Sequence, residues 1–242
     1  MKSREELKRN LAQVEETVEA ACRRSGRSRG EITLITVTKM HPAAAIAAAA
    51  ELGITHIGEN KVQEFDGKQP AWKELQATYP LRSHLIGHLQ SNKAARAATL
   101  FDTIDSVDSL RLAERLEAAA AANGRALPIL IEIKLSEEES KSGAAPGSPE
   151  LEQLFERLPS LTHLAPRGLM TVPPYLRDAE AVRPYFHRLR ALRDEYARRH
   201  PKLQLEALSM GMTHDYAVAI EEGATEIRLG TALFGARDYS HA

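Results

Sequence analysis

Eight segments of strand character, each followed by a segment of helix character, alternate along this sequence of 242 residues. The predicted strands span residues 33–39, 54–57, 81–86, 101–104, 128–134, 164–170, 203–208 and 225–229. A helix between two strands carries the chain back to the starting edge of the sheet, so the strands of such a pattern run parallel. Eight repeats of this unit predict an α/β fold, a closed (β/α)₈ TIM barrel, with a doubly wound open sheet as the alternative.

An additional helix is predicted before the first strand. Apolar residues at helical spacing lie between charged residues over positions 3–24, and Gly26 follows them. No linker, low-complexity tract or repeat divides the chain, so we expect residues 1–242 to form a single barrel domain with one extra N-terminal helix.

The overall charge argues against several classes of partner. Lys and Arg together number 32 and Asp and Glu 33, so no basic excess favours nucleic acid or an anionic membrane surface. No apolar run approaches the roughly 18 residues that span a bilayer. The one cysteine, Cys22, fits a reducing compartment, and the nine histidines show no metal-binding spacing. These features predict a cytoplasmic protein without a metal site.

The first predicted strand ends on Lys39, and His41 and Pro42 break the pattern directly after it. Strand ends at the carboxyl side of a barrel form its functional face. A partly desolvated lysine there has a lowered pKa and can form a Schiff base with an aldehyde. The alternative is an ordinary surface lysine at the end of a strand.

The segments that follow strands seven and eight have the composition of a phosphate cradle, which this architecture commonly places there. Glycines allow close approach of the backbone, hydroxyl groups donate hydrogen bonds, and an arginine adds a fixed charge. The residues concerned are Ser209, Gly211, Arg228, Gly230 and Thr231. Taken singly, they could equally be turn glycines, a helix cap and one half of a structural ion pair.

Closure of a barrel makes its first and last strands neighbours, so Lys39 should face this cradle across one mouth. A ligand that carries both an aldehyde and a phosphate would satisfy both ends. Pyridoxal 5′-phosphate is the common cofactor of that description.

Several ordered motifs strengthen this interpretation. They are Val37-Thr38-Lys39, Gly58-Glu59-Asn60, His84-Leu85-Ile86-Gly87-His88-Leu89-Gln90-Ser91-Asn92-Lys93, Ser140-Lys141-Ser142-Gly143, Arg167-Gly168-Leu169-Met170, Leu208-Ser209-Met210-Gly211-Met212 and Arg228-Leu229-Gly230-Thr231-Ala232-Leu233-Phe234-Gly235-Ala236-Arg237. In this order they resemble the signatures of the YggS/PROSC family of pyridoxal phosphate homeostasis proteins.

The resemblance implies a barrel like the N-terminal domain of alanine racemase, with pyridoxal 5′-phosphate bound covalently as a Schiff base to Lys39. It also implies that Asn60 and Met170 lie near the cofactor ring. The chain departs from the family pattern at His88, where proline is common, and at His41, where a second lysine usually stands.

Two functional classes remain open. One is a binding protein that buffers pyridoxal phosphate or delivers it to apo-enzymes, without a catalytic activity of its own. The other is a pyridoxal phosphate enzyme such as an amino-acid racemase. Racemases of this type carry a further β-rich domain that forms dimers and supplies catalytic groups, whereas this sequence stops at Ala242, so we expect a non-catalytic monomer. A third class, a sugar-phosphate barrel, leaves Lys39 unexplained.

One further lysine needs an explanation. Lys141 lies in the predicted loop 136–148, beside Ser142 and Gly143. Its amine could take the aldehyde from Lys39 by transimination and so release it, or it could be an ordinary exposed lysine.

Overall fold

Eight parallel strands close into a barrel in the order of the sequence, as predicted. The computed structural model describes residues 3–136, 138 and 141–235. The strands are β1 Thr33–Val37, β2 His56–Glu59, β3 Arg82–Leu85, β4 Thr103–Val107, β5 Leu127–Glu132, β6 Leu164–Met170, β7 Ala207–Ser209 and β8 Glu226–Leu229. Strand β1 pairs with both β2 and β8, which closes the barrel and excludes the open sheet.

Helices surround the barrel on the outside. They are α1 Arg4–Ser25, α2 Ala43–Glu51, α3 Val62–Gly67, α4 Gln69–Gln76, α5 Ala94–Leu100, α6 Leu110–Ala122, α7 Pro149–Arg157, α8 Arg183–Arg199, α9 Tyr216–Glu221 and α10 Thr231–Phe234. Apolar side chains of these helices pack on the outward-facing apolar residues of the strands in one continuous core. Within the described residues, no helix combines the length and the apolar character needed to cross a bilayer.

The predicted N-terminal helix is confirmed as α1. Ser3 and Glu6 form a reciprocal cap, in which the Ser3 hydroxyl accepts from the Glu6 N–H at 3.2 Å and the Glu6 carboxylate accepts from the Ser3 N–H at 2.8 Å. The helix buries Leu7, Val14 and Val18 and contacts α9 and α10, so it covers the strands at which the barrel closes.

The sequence between the second and third strands has helical composition over residues 61–78 and predicts one helix there. That prediction is wrong, because two helices meet at Lys68. Gly67 ends α3, and Pro70 lies in the first turn of α4, where its missing N–H leaves no hydrogen bond unmade. The break matters for the site, because it brings the Lys68 side chain into the layer between these helices and the barrel.

Two strand ends also differ from prediction. The seventh strand was predicted at residues 203–208 but comprises only Ala207–Ser209. Leu203 and Leu205 are buried and alternate as in a strand, but β6 pairs with β7 only from Ala207 onward. Strand β1 ends at Val37, so Lys39 lies in the turn that follows it rather than in the strand.

Candidate functional site

A cavity of about 360 Å³ opens at the carboxyl ends of the strands, in the size range of small-molecule sites. Five of the eight predicted site residues line it, namely Lys39, Asn60, Arg228, Gly230 and Thr231. The other lining residues are Val37, Ile86, Val172, Pro174, Tyr175, Met212, Thr213, His214 and Asp215. The cavity therefore combines an apolar wall with a few polar groups that come from both ends of the sequence.

Lys39 and the glycine turn after β8 face the same space. Lys39 is half-buried, and strand β1 is paired with β8 up to the level of Thr36 and Leu229. Directly above this pair, a Cβ atom on Gly230 would lie 3.3 Å from the carbonyl oxygen of Val37. A side chain at position 230 would thus crowd the start of the lysine turn, which accounts for the glycine.

The loops that follow β7 and β8 are tied together. The hydroxyl oxygen of Thr213 accepts a hydrogen bond from the N–H of Ala232 at 3.1 Å, so Thr213 does not cap the following helix. Thr231 begins the short helix α10, whose first N–H groups lack partners within the helix. This corner has the hydroxyls, backbone donors and glycine that a phosphate site requires.

Asn60 offers an open acceptor to the cavity. It does not cap α3, since that role falls to the backbone of Lys61 without a side-chain bond. Its Oδ1 atom is buried and has no hydrogen-bond partner among the described residues. A buried acceptor without a partner is costly, and a ligand that donates from within the cavity would remove that cost.

Gly87 fixes the position of Asn60. A Cβ atom at residue 87 would lie 2.4 Å from the Asn60 carbonyl oxygen, which no side chain can do without moving the backbone. The Gly87 carbonyl in turn accepts a hydrogen bond from the Ser106 hydroxyl at 2.7 Å. The motif that contains Gly87 therefore supports the site from behind.

Gly87→Ala is expected to displace Asn60 and to destabilise the protein by about 1–3 kcal/mol, the usual cost of overpacking. Denaturant unfolding measures the loss, and ligand titration measures the effect on the cavity. Gly67→Ala is the matched control, because nothing lies within 4 Å of a Cβ atom there. Equal stability of the two variants would show that the backbone around Asn60 adapts freely.

The guanidinium of Arg228 lies at the bottom of the cavity. Its Nη1 donates to the Ser209 hydroxyl at 2.8 Å and its Nη2 donates to the Thr171 carbonyl at 2.7 Å. Burial lowers the pKa of Arg228, while the carboxylates of Asp105 and Glu132 act in the opposite direction. A structural ion pair of Arg228 could have involved Glu226 or Glu222. Glu222 instead binds Arg183 on the outside at 3.0 Å, whereas Glu226 does act on the charge of Arg228.

The remaining three predicted residues do not line the cavity. Ser209 reaches it only through Arg228, and Met170 is fully buried beside Ser209 in the β6–β7 ladder. Gly211 has a φ of +95°, and a Cβ atom there would lie 2.6 Å from that of Ala219. Its carbonyl accepts from the Arg228 N–H at 3.0 Å, so Gly211 shapes the backbone next to the site.

Below the cavity, the barrel interior carries acidic side chains. Glu132 and Glu226 share the inward face because residues at equal register of neighbouring parallel strands point to the same side. Burial raises the pKa of Glu132 to about 7, and it also raises the pKa of Glu226. Together with Asp105, these carboxyl groups act on the cation of Arg228 and oppose the lowering of its pKa by burial.

His84 joins this acidic group. One carboxylate oxygen of Asp105 lies 3.0 Å from His84 Nδ1, and His56 Nδ1 lies 2.9 Å from His84 Nε2. Burial opposes protonation of His84, but Asp105, Glu226 and Asp102 together outweigh burial and raise the pKa. Burial and His84 lower the pKa of His56 to about 4. Both ring nitrogens of His84 contact protein groups, so we interpret the cluster as a network of hydrogen bonds that shares protons. The absence of a metal site, expected from the sequence, stays a prediction.

Glu132 should make stability depend on pH. Between about pH 4.5 and 7 the folded chain keeps a proton on Glu132 that the unfolded chain has released, so raising the pH favours unfolding. The contribution is complete below about pH 4.5 and is lost as the pH rises through about 7. At about 1.4 kcal/mol per pKa unit it reaches roughly 3 kcal/mol.

We expect Glu132→Gln to flatten the decline in unfolding free energy between pH 5 and pH 8, as measured by urea titration. Glutamine keeps the shape and cannot ionise. The control is Glu114→Gln, at an exposed position of α6, which should keep the wild-type slope. Identical slopes for both variants would mean that Glu132 is ionised throughout this range.

Lys141 is engaged rather than simply exposed. Its Nζ donates to the Pro173 carbonyl at 2.7 Å and lies 3.1 Å from a Glu138 carboxylate oxygen. Pro173 precedes Pro174 and Tyr175, which line the cavity, so Lys141 ties the loop after β5 to the loop after β6. Ser140, Ala236 and Arg237 of the quoted motifs lie outside the described residues.

The apolar wall of the cavity was not predicted from the sequence. Ile86, Val172 and Met212 belong to it, and as ordinary apolar residues near strand ends they carry no chemical signal of their own. Glu132 of the barrel interior did carry one, because it stands at the end of an otherwise apolar strand.

The barrel and its cavity define a known class of protein. The family model described as alanine racemase, N-terminal domain, matches residues 5–238, and the chain belongs to this family. Among its curated relatives, the pyridoxal phosphate homeostasis protein of Aquifex aeolicus is 42% identical over 95% of this chain and 97% of its own length. The protein of the same name from Escherichia coli K12 is 41% identical over 97% and 98%. The resemblance to the pyridoxal phosphate homeostasis proteins is thereby confirmed.

Solved structures agree with this assignment. PipY from Synechococcus elongatus PCC7942, determined with PLP bound, is 39% identical, covers 90% of this chain and 100% of its own, and superposes with a TM-score of 0.76. PipY without PLP gives the same TM-score of 0.76 at 42% identity. The barrel of this chain is thus similar to that of PipY, a protein whose structure is known both with and without PLP.

Proposed function

We propose that this protein binds pyridoxal 5′-phosphate reversibly and serves in its homeostasis. The observation that carries the proposal is that Lys39 and the Gly230–Thr231 turn face each other across one cavity. The open acceptor of Asn60 and the buried cation of Arg228 supply polar contacts between them. Relatives named pyridoxal phosphate homeostasis protein, at about 40% identity over nearly the full length, support the same function.

We propose that Lys39 forms the covalent bond. Its amine would add to the aldehyde carbon, a C=N bond would form, and water would leave, so that hydrolysis reverses the step. The phosphate would be held by Gly230, Thr231 and the Arg228 charge, with Ser209 and Gly211 supporting that arginine. Asn60 would contact the ring from the side of β2, whereas Met170 would act only through packing.

The proposal favours a carrier over an enzyme. The similar relatives are named as homeostasis proteins, whereas a D-threo-3-hydroxyaspartate dehydratase of 20% identity, with a TM-score of 0.63, shares only the fold. The further parts of the proposal are delivery to apo-enzymes, a cytoplasmic location, one domain over residues 1–242 and a monomeric state. Release through Lys141 requires its amine to leave the Pro173 carbonyl, and that role stays a prediction.

Titration of the purified protein with pyridoxal phosphate tests the proposal. We expect a visible absorption band, one equivalent bound, and a borohydride-stable label at Lys39 after peptide mapping. Pyridoxine 5′-phosphate, which lacks the aldehyde, should bind without the band. A protein that binds neither compound but binds a sugar phosphate would be a barrel of another function, and turnover of an added amino acid would favour the racemase alternative.

A further inference from the structure

The turn that carries Lys39 has an unusual backbone. Strand β1 ends at Val37, and Met40 has a φ of +62°, the only left-handed residue other than glycine among the described residues. A methionine holds this conformation only where its surroundings impose it. Met40 is 60% exposed, so packing of its own side chain does not impose it.

Hydrogen bonds on both sides of Lys39 impose this backbone. Before it, the Thr38 hydroxyl donates to Glu59 Oε1 at 2.6 Å, and the Thr38 carbonyl accepts from Lys68 Nζ at 3.0 Å. After it, the Met40 N–H donates to a carboxylate oxygen of Glu64. The two neighbours of Lys39 in the chain are thus bound to one cluster outside the barrel.

Lys68 holds that cluster together. Its ammonium group has three protons, and three acceptors surround it: the Thr38 carbonyl, Glu59 Oε1 at 2.7 Å and Glu64 Oε1 at 3.0 Å. Lys68 is 8% exposed and Glu59 is fully buried. Burial raises the pKa of Glu59, and the hydrogen bonds from Lys68 and Thr38 counteract it.

The cluster has no contact with the cavity itself. Thr38 and Glu59 point outward, toward α3 and α4, whereas Lys39 and Asn60, the next residue of each strand end, line the cavity. The cluster therefore binds the backs of the two segments that carry polar groups into the site. A change in this cluster would shift the Lys39 amine without altering any direct contact to a ligand.

We propose that Lys68 is a positioning residue for Lys39. By binding the Thr38 carbonyl directly and the Met40 N–H through Glu64, it directs the Lys39 amine toward the cavity. The inference rests on the proposed function, in which Lys39 forms the covalent bond. It predicts that the cluster governs bond formation far more than it governs non-covalent occupancy of the cavity.

The test compares two ligands in Lys68→Met. Pyridoxal phosphate can bond to Lys39, whereas pyridoxine 5′-phosphate can only occupy the cavity. We expect the affinity for pyridoxal phosphate and the rate of borohydride-trapped labelling at Lys39 to fall about 10- to 100-fold, the scale of a misplaced reacting group. The affinity for pyridoxine 5′-phosphate should stay within about twofold of wild type. Lys73→Met, at an exposed position of α4, is the matched control and should behave as wild type with both ligands.

Glu64→Ala keeps the proposal testable if Lys68→Met fails to fold. Its side chain is 24% exposed on α3, so the helix should tolerate alanine, while the Met40 N–H loses its acceptor. Gln63→Ala, an exposed neighbour on the same helix, is its control. We expect the same result, a weakened affinity for pyridoxal phosphate and an unchanged affinity for pyridoxine 5′-phosphate. The pH at which half of the visible absorption band is lost should also differ from wild type.

Two results would overturn the positioning role. One is equal weakening of both ligands in the folded variants, which would make the cluster merely structural; the other is wild-type behaviour with both. If wild-type protein itself carries no label at Lys39, the proposed function fails instead, so the two failures are distinguishable.

Discussion

Lys39→Ala is expected to lose the visible absorption band and the borohydride-stable label altogether. The proposed covalent bond requires an amine at the mouth of the cavity, and Lys39 is the lysine that lines it. We expect the affinity for pyridoxal phosphate to fall by roughly 3 kcal/mol, about 100-fold, while the phosphate contacts that remain keep some binding. Absorbance titration and peptide mapping after reduction measure both effects.

Two comparisons make the Lys39 result specific. Lys39→Arg keeps the positive charge but provides no nucleophilic amine, so it should lose the band as the alanine variant does. Lys61→Ala removes an exposed lysine next to Asn60 and should leave the band intact. Recovery of the borohydride-stable label mainly on Lys141 or Lys93 of the wild-type protein would contradict the assignment of Lys39.

Arg228→Met is expected to lower the stability of the protein as well as its affinity for the ligand. The guanidinium is buried and makes two hydrogen bonds, and the carboxyl groups of Asp105, Glu132 and Glu226 act on its charge electrostatically. Removal of one partner from a buried charge cluster typically costs about 3–5 kcal/mol, because the remaining charges are left uncompensated. For a chain of this size the midpoint of thermal unfolding should fall by roughly 10 °C.

The pH dependence of this loss identifies its cause. The loss of stability should be smaller at pH 5 than at pH 8. Carboxyl groups with raised pKa values are protonated at pH 5, so removal of the Arg228 cation leaves fewer uncompensated negative charges. Arg96→Met breaks an exposed pair with Asp66 and should change stability by less than about 1 kcal/mol. An Arg228→Met protein as stable as wild type at pH 8 would show that other groups neutralise the acidic interior.

The sequence allowed the barrel to be predicted because its signals are local. The strands were predicted from short segments rich in apolar or β-branched residues and the helices from their own period, so the order of elements follows without knowledge of contacts. Prediction was wrong where a local pattern was incomplete: Leu203 and Leu205 alternate like a strand but find no partner strand. At Lys68 the signals of a helix break, Gly67 and Pro70, were present within a stretch of otherwise helical composition.

For the candidate site, the grouping of residues at the strand ends could be predicted from the sequence, whereas their depth within the barrel could not. Lys39, Asn60 and Gly230 stand directly after strands, so the architecture alone brings them to one mouth. The depth of Arg228 depends on the register between β7 and β8, which no local pattern reveals. The cluster around Lys68 likewise joins residues from three separate segments of the chain, and it becomes visible only when the helices are packed on the barrel.

The pairing of β1 with β8 has a consequence for biosynthesis. Thr33 is hydrogen-bonded to Thr225 at 2.8 Å, so the lysine turn and the glycine turn that form one cavity are made at opposite ends of translation. If the site captures the aldehyde as proposed, a nascent chain cannot do so until its last strand has left the ribosome. The slow pairing of segments that are distant in sequence then limits the rate at which the site forms. In refolding with pyridoxal phosphate present, fluorescence of the buried Trp72 should change before the visible band grows.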